Sequence, residues 1–201
     1  PAISTDMDFF SGATSIDLGA LDISATTTFT LADLSATQAG DIDVTLGADA
    51  NAGVVVVADM KVNGTDTVDL DVTTTADGQD VTLNDANNNI ENANVALSGT
   101  FNTVLDVDAT SFLTSLTVSG GAADHTLTTG TAFANATVDM SGVASNITFT
   151  TGGTTQTVTT GSGDDTITMN AGAKTVDLGA GDDRLVDGAT LGTTDTFAGG
   201  T

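Results

Sequence analysis

Alternation, not helical periodicity, governs this chain. Asp41-Ile42-Asp43-Val44-Thr45-Leu46 and Thr67-Val68-Asp69-Leu70-Asp71-Val72 carry an apolar side chain at every second position. Successive side chains of an extended chain point to opposite faces, so each run predicts a strand with one dry and one wet face. Shorter runs of the same kind recur at Val81-Thr82-Leu83, Val104–Val107, Leu116-Thr117-Val118, Thr137–Met140 and Ile147–Thr150. Clusters of Gly, Asn and Asp separate them, and Asn84 to Asn94 reads as a polar loop or a short irregular helix. The acidic pairs Asp41/Asp43, Asp69/Asp71, Asp77/Asp80 and Asp106/Asp108 read as wet faces of their strands. Phe9, Phe10 and Phe29 read as core packing near the N-terminus.

From Gly152 onward the chain divides into blocks of nine: GGTTQTVTT, GSGDDTITM, NAGAKTVDL, GAGDDRLVD and GATLGTTDT. The seventh place of the first four is Val158, Ile167, Val176 and Leu185, one inward apolar residue per block. Such a period is the signature of a solenoid. Gly161-Ser162-Gly163-Asp164-Asp165 and Gly179-Ala180-Gly181-Asp182-Asp183 start two blocks apart. Two nonapeptides complete one coil of a two-sided solenoid, so these two turns are expected to stack. The expected fold is all-β: a parallel β-solenoid (β-helix or β-roll) with short strands and Gly/Asp-rich turns. Residues 1–119 form a β-rich, Thr/Ala/Asp-rich solenoid-like region. Residues 120–201 form a β-solenoid that ends in the nonapeptide region 152–201. Asp195 to Thr201 reads as the start of one more repeat, which predicts that the repeats continue.

Charge narrows the function. Three Lys and Arg face 27 acidic residues, a formal net charge of −24, and Glu91 is the one glutamate. Aspartate is a turn former, a poor helix former and a hard oxygen ligand. Nucleic acid needs a basic stripe that Lys61, Lys174 and Arg184 cannot supply. An anionic membrane surface repels the chain, and its longest apolar run, Val54–Val57, is too short for membrane insertion. There is no Cys, so neither disulfides nor thiolate metal sites are available. No metalloprotease, nucleophile-elbow, phosphate-loop or dinucleotide motif is present, and no Trp or Tyr offers a sugar platform. His125 is the single histidine. An enzyme is not expected.

Glycines at the first and third places of a turn let the backbone bend tightly and aim its carbonyl oxygens inward. Stacking two such turns, each with adjacent aspartates, makes a cage of carboxylate and carbonyl oxygens. Calcium accepts six to eight oxygens in flexible geometry, whereas magnesium demands a small octahedron.

These blocks resemble the RTX-type nonapeptide repeat G-G-x-G-x-D-x-U-x. Gly161 and Gly163 match its second and fourth places, Asp165 its acid and Ile167 its apolar place; Gly179, Gly181, Asp183 and Leu185 match in the next coil. The resemblance implies a calcium ion held by Asp165 and Asp183. Backbone oxygens at Gly161, Gly163, Asp164, Gly179, Gly181 and Asp182 are the secondary ligands. The acid place is Lys174 on the opposite side, and Gln156 and Gly192 in the outer blocks, so one side alone has calcium ligands. Lys174 replaces a cation there by its own charge. Gly120–Leu127 resembles a degenerate repeat with His125 at the acid place, and no calcium is assigned to it.

The upstream composition resembles that of bacterial surface-layer (S-layer) proteins. The resemblance implies a secreted, extracellular structural protein on the bacterial cell surface, exported by type I secretion. It would self-assemble by lattice contacts between identical subunits and attach to an outer-membrane glycolipid through another region. The alternatives are an RTX adhesin stalk and the C-terminal secretion module of an RTX hydrolase.

Overall fold

A computed structural model describes residues 3–6, 12–14, 16–21, 27–46, 54–60, 66–75, 79–84, 90–101, 103–107, 113–129, 136–152, 155–188 and 191–200. Phe9, Phe10, Asp77 and Asp108 lie outside the described residues, as do the side chains of Phe29, Asp80 and Asp106.

The strands, in order, are β1 (Ile3–Asp6), β2 (Ile16–Leu21), β3 (Thr27–Leu34), β4 (Ile42–Leu46), β5 (Val54–Met60) and β6 (Asp66–Thr73). They continue as β7 (Gln79–Asn84), β8 (Ile90–Ser98), β9 (Thr103–Val107), β10 (Ser115–Gly120), β11 (His125–Thr129) and β12 (Ala136–Gly142). The last are β13 (Ile147–Thr150), β14 (Gln156–Thr159), β15 (Thr166–Met169), β16 (Lys174–Asp177), β17 (Arg184–Asp187) and β18 (Thr196–Ala198). Odd-numbered strands pair in sequence into one sheet and even-numbered strands into another, and every pairing is parallel. Each coil therefore gives one strand to each sheet, and the fold is a parallel β-solenoid. The ladder runs without a break past residue 119, because β10 pairs with both β8 and β12.

Alternation fixes which side chains enter the space between the sheets. Ile42, Val44, Val68, Leu70 and Val72 are buried, while Asp41, Asp43 and Asp71 between them are exposed. One inward column of the even sheet runs through Val68, Ala93, Leu116, Val138, Val158 and Val176. In the odd sheet the corresponding column is Val81, Leu105, Leu127, Phe149 and Ile167. β-branched and medium aliphatic side chains suit such a narrow, layered interior. Val158, Ile167 and Val176 are buried as the nonapeptide frame predicts, and Leu185 packs against the core from the final coil.

The coil contracts along the chain. Phe29 pairs with Val56, Leu105 with Leu127 and Ile167 with Leu185, so a coil shrinks from the length of three nonapeptides to that of two. Strands shorten in parallel, from 8 residues in β3 to 4 residues in each of β13 to β17. A two-nonapeptide coil with such short strands has fewer inward positions, so less apolar burial supports each C-terminal coil.

One local reading changes. Asn84 to Asn94 is not all loop: Ile90–Asn94 opens β8, with Ile90 and Ala93 buried and exposed Asn94 donating from Nδ2 to Asp69 Oδ1 at 2.6 Å. A one-turn helix, α1 (Ala36–Ala39), follows β3. Ser35 Oγ accepts the Gln38 amide at 3.3 Å while Gln38 Oε1 accepts the Ser35 amide at 2.9 Å, a reciprocal capping box. Among the described residues, no helix is long and apolar enough to cross a membrane.

Candidate metal centre

One position recurs at the start of strands, where the chain leaves a turn and enters a ladder. In the odd sheet it is occupied by Gln79, Thr103, His125, Ile147, Asp165 and Asp183 in successive coils. In the even sheet it is Ala136, Gln156, Lys174 and Asp195. The expectation for Gly192 is corrected here. Val176 pairs with Phe197 rather than with Thr194, so three extra residues in the last turn displace Gly192 and bring Asp195 to the acid place.

The backbone amide at this position needs an acceptor, and the side chain one coil along often supplies it. Asp165 Oδ1 accepts the Ile147 amide at 2.8 Å, and Asp183 Oδ1 accepts the Asp165 amide at 2.9 Å. His125 Nδ1 accepts the Thr103 amide at 3.3 Å, and Asp195 Oδ1 accepts the Lys174 amide at 2.9 Å. One residue earlier, a second column runs the other way. Asp124 Oδ1 accepts the Asn146 amide, Asn146 Oδ1 the Asp164 amide and Asp164 Oδ1 the Asp182 amide, at 3.3, 2.7 and 2.9 Å.

The two Gly-Asp turns stack as their spacing predicts. Ala180 donates its amide to the Gly161 carbonyl at 2.9 Å, and Arg184 donates to the Asp165 carbonyl at 2.8 Å. Gly179 has φ +71°, and a Cβ there would lie 1.9 Å from the Gly161 oxygen; Gly181 has φ +143°, and its Cβ would lie 2.2 Å from the Gly163 oxygen. Only glycine permits this approach, which turns the Gly161 and Gly163 carbonyls toward the neighbouring coil. Asp165 is buried and Asp183 half-buried, whereas Asp164 and Asp182 are exposed.

Asp165 is incompletely satisfied. Its Oδ2 is buried and has no hydrogen-bond partner. Burial pushes its carboxyl above the usual carboxylate range, and the nearby charges of Asp183 and Asp164 add to the shift. The Thr160 hydroxyl and the Ile147 amide oppose it. Thr160 has one proton to give, however, and donates it to the Leu178 carbonyl at 2.8 Å. A buried carboxylate with one bare oxygen and acidic neighbours is costly unless a cation joins it. Among the described residues no three His, Cys, Asp or Glu side chains converge as a ready ligand set. The Asp165 carboxylate turns toward Ile147 in the preceding coil, and the Gly161 carbonyl accepts the Ala180 amide; the bare Oδ2 of Asp165 is a hard oxygen, which suits calcium better than a soft transition metal.

Asp195 forms the contrast. Its Oδ1 takes the Lys174 amide and its Oδ2 takes the Gly192 amide at 2.7 Å. Those two backbone bonds hold its carboxyl below the usual range. The same residue type at the same place is self-sufficient on one side of the roll and incomplete on the other.

Other turns are filled by their own side chains. Gln79 Oε1 accepts the Thr75 amide at 2.8 Å, and Gln156 Oε1 accepts the Gly152 amide at 2.9 Å. His125 fills its turn with imidazole: a Cβ on Gly121 would meet Nε2 at 1.9 Å. Burial pushes the His125 pKa down, against the pull of Asp124. Comparison with protein-family models, curated proteins and solved structures finds no match for this chain.

Proposed function

We propose that this chain is a structural, calcium-dependent segment of a self-assembling bacterial cell-surface layer. The observation that carries the reading is the bare, buried Oδ2 of Asp165, which belongs to the first of two stacked Gly-Asp turns. A net charge of −24 adds a second reason, because a polyanion compacts when cations neutralise it. The short C-terminal coils, with their small apolar interior, are where a bound ion adds most.

Extracellular calcium modules bind with Kd of about 10⁻⁴–10⁻³ M. A ligand that binds only the folded state stabilises it by mass action, so folding of these coils becomes coupled to arrival outside the cell. The same ions serve to bridge exposed acidic faces such as that of Asp41, Asp43 and Asp71 between subunits. The chemistry favours a structural over a catalytic role, since the one histidine is sealed within its turn.

A calcium titration of the purified chain, followed by circular dichroism and particle size, tests this. Calcium is expected to increase β-structure and drive ordered assembly, with magnesium ineffective. Folding without assembly would remove the surface-layer role and leave an adhesin stalk or secretion module. A chain equally folded in chelator and in calcium would overturn the metal reading.

A further inference from the structure

The even-sheet edge of the roll holds an unusual buried group. Lys174 is 1% exposed and stands at the place that Asp165 and Asp183 fill on the other edge. Its ammonium is turned back into its own turn, where Nζ donates to the carbonyl oxygens of Ala171 at 3.0 Å and Gly172 at 3.4 Å. Gly172 has φ +104°, so this turn bends through a left-handed residue as the turn of Gly179 and Gly181 does. The carbonyls of this turn thus meet a positive charge that belongs to the chain. One coil before, Gln156 closes the corresponding turn by accepting the Gly152 amide; one coil after, Asp195 closes its turn by accepting the Gly192 amide.

We propose that Lys174 is the resident cation of the even-sheet edge, so that the metal requirement of the roll is one-sided. The edge of Asp165 and Asp183 takes calcium, and the edge of Gln156, Lys174 and Asp195 takes none. This inference rests on the calcium reading for the first edge only. All three buried side-chain polar atoms without partners among the described residues, on His125, Ser145 and Asp165, belong to turns on the odd-sheet edge. None lies in the turns that Gln156, Lys174 and Asp195 close. A lysine is fixed in place and cannot be chelated, so half of the C-terminal roll is independent of the external ion. That half provides a standing ladder on which the metal-dependent turns close.

The test compares Lys174→Met, Lys174→Gln and the double variant Asp165→Asn/Asp183→Asn, each melted with saturating calcium and with chelator. Lys174→Met keeps most of the length of the stem and removes the charge. Its midpoint is expected to fall by several degrees in both conditions, leaving the calcium-induced shift as in the wild type. Lys174→Gln installs the uncharged residue type that closes the preceding turn at Gln156, and is expected to recover only a minor part of that loss; full recovery overturns the role of the charge. The double variant is expected to lose the calcium-induced shift and, by calorimetric titration, every bound ion of this roll. An unchanged midpoint in Lys174→Met overturns the resident-cation role. A calcium-induced midpoint shift of wild-type size in the folded double variant overturns the one-sidedness. A wild type without any calcium-induced shift removes the metal reading, while the Lys174→Met result still decides the role of the ammonium.

Discussion

The amide of Asp165 donates to Oδ1 of Asp183, one coil further along, at 2.9 Å. Ile147 and Asp165 repeat the relationship at 2.8 Å. One oxygen of each aspartate is thus committed to the fold before any ion arrives, and the other oxygen of Asp165 is left for the ion. Asparagine keeps the first function and loses the second. Asp165→Asn removes the buried unpaired charge, so it is expected to fold in chelator better than the wild type at neutral pH and to show little calcium-induced stabilisation. Asp165→Ala also strips the Ile147 amide of its acceptor and is expected to cost about 1–3 kcal/mol relative to Asp165→Asn in both conditions. Chemical denaturation of the two variants, with and without calcium, separates these contributions.

The pH dependence should reverse with calcium. The folded Asp165 carboxyl is raised above its unfolded value of 3.8, chiefly by burial. In chelator the folded state therefore holds its proton more tightly, and stability contributed by this group is lost as pH rises through the folded value. With calcium bound, the carboxylate form is favoured, and stability is instead lost as pH falls. Subtracting the pH profile of Asp165→Asn from that of the wild type isolates the group. A difference profile of the same slope in calcium and in chelator would sink the assignment of Asp165 as a ligand.

His125 should behave as a neutral plug. Its folded pKa is lowered from 6.5, mainly by burial, so its contribution is present above that value and lost as pH falls through the folded pKa. Nδ1 is the acceptor for the Thr103 amide, and protonation would place a donor against a donor. His125→Gln, following the pattern of Gln79, is expected to remain within about 1 kcal/mol of the wild type at neutral pH and to flatten the acid side of the profile. His125→Ala, which leaves the amide unpaired, is expected to cost about 1–3 kcal/mol. Urea titrations at neutral and mildly acidic pH give both comparisons.

The solenoid is legible in the chain because its two strongest determinants are local. Alternation at Val68, Leu70 and Val72 assigns strands and faces, and the paired Gly-Asp turns give the coil where that coil is shortest. Upstream the coils share no fixed period: Ile42 pairs with Leu70 but His125 with Ile147, since turns of different length close the same two-sheet cross-section. Those coils emerge from strand pairing, not from a repeat. For the same reason Asp195 escapes a reading in blocks of nine: three inserted residues shift it out of the frame. The plugging role of Gln79 and Gln156 is hidden as well, because a glutamine ending a polar turn looks like any exposed glutamine until its amide group is placed. The helical turn at Ala36–Ala39 does carry a signal, Ser35 followed three positions later by Gln38.

The close approach of the two Gly-Asp turns gives the sharpest steric prediction. Gly179 needs φ +71°, and any Cβ there would meet the Gly161 oxygen at 1.9 Å, a backbone atom that cannot swing aside. Gly199, with nothing within 4 Å of its would-be Cβ, is the control. Gly179→Ala is expected to lose at least about 2 kcal/mol, from the left-handed conformation alone and then from separating the turns. Gly199→Ala is expected to stay within about 0.5 kcal/mol. Because separation also disturbs the turn that carries Asp165, Gly179→Ala should weaken calcium binding as well as stability. Denaturation and calcium titration on both variants check this together. A Gly179→Ala protein that keeps wild-type stability and wild-type calcium affinity would mean that the turns do not stack as closely as the Gly161–Ala180 hydrogen bond requires.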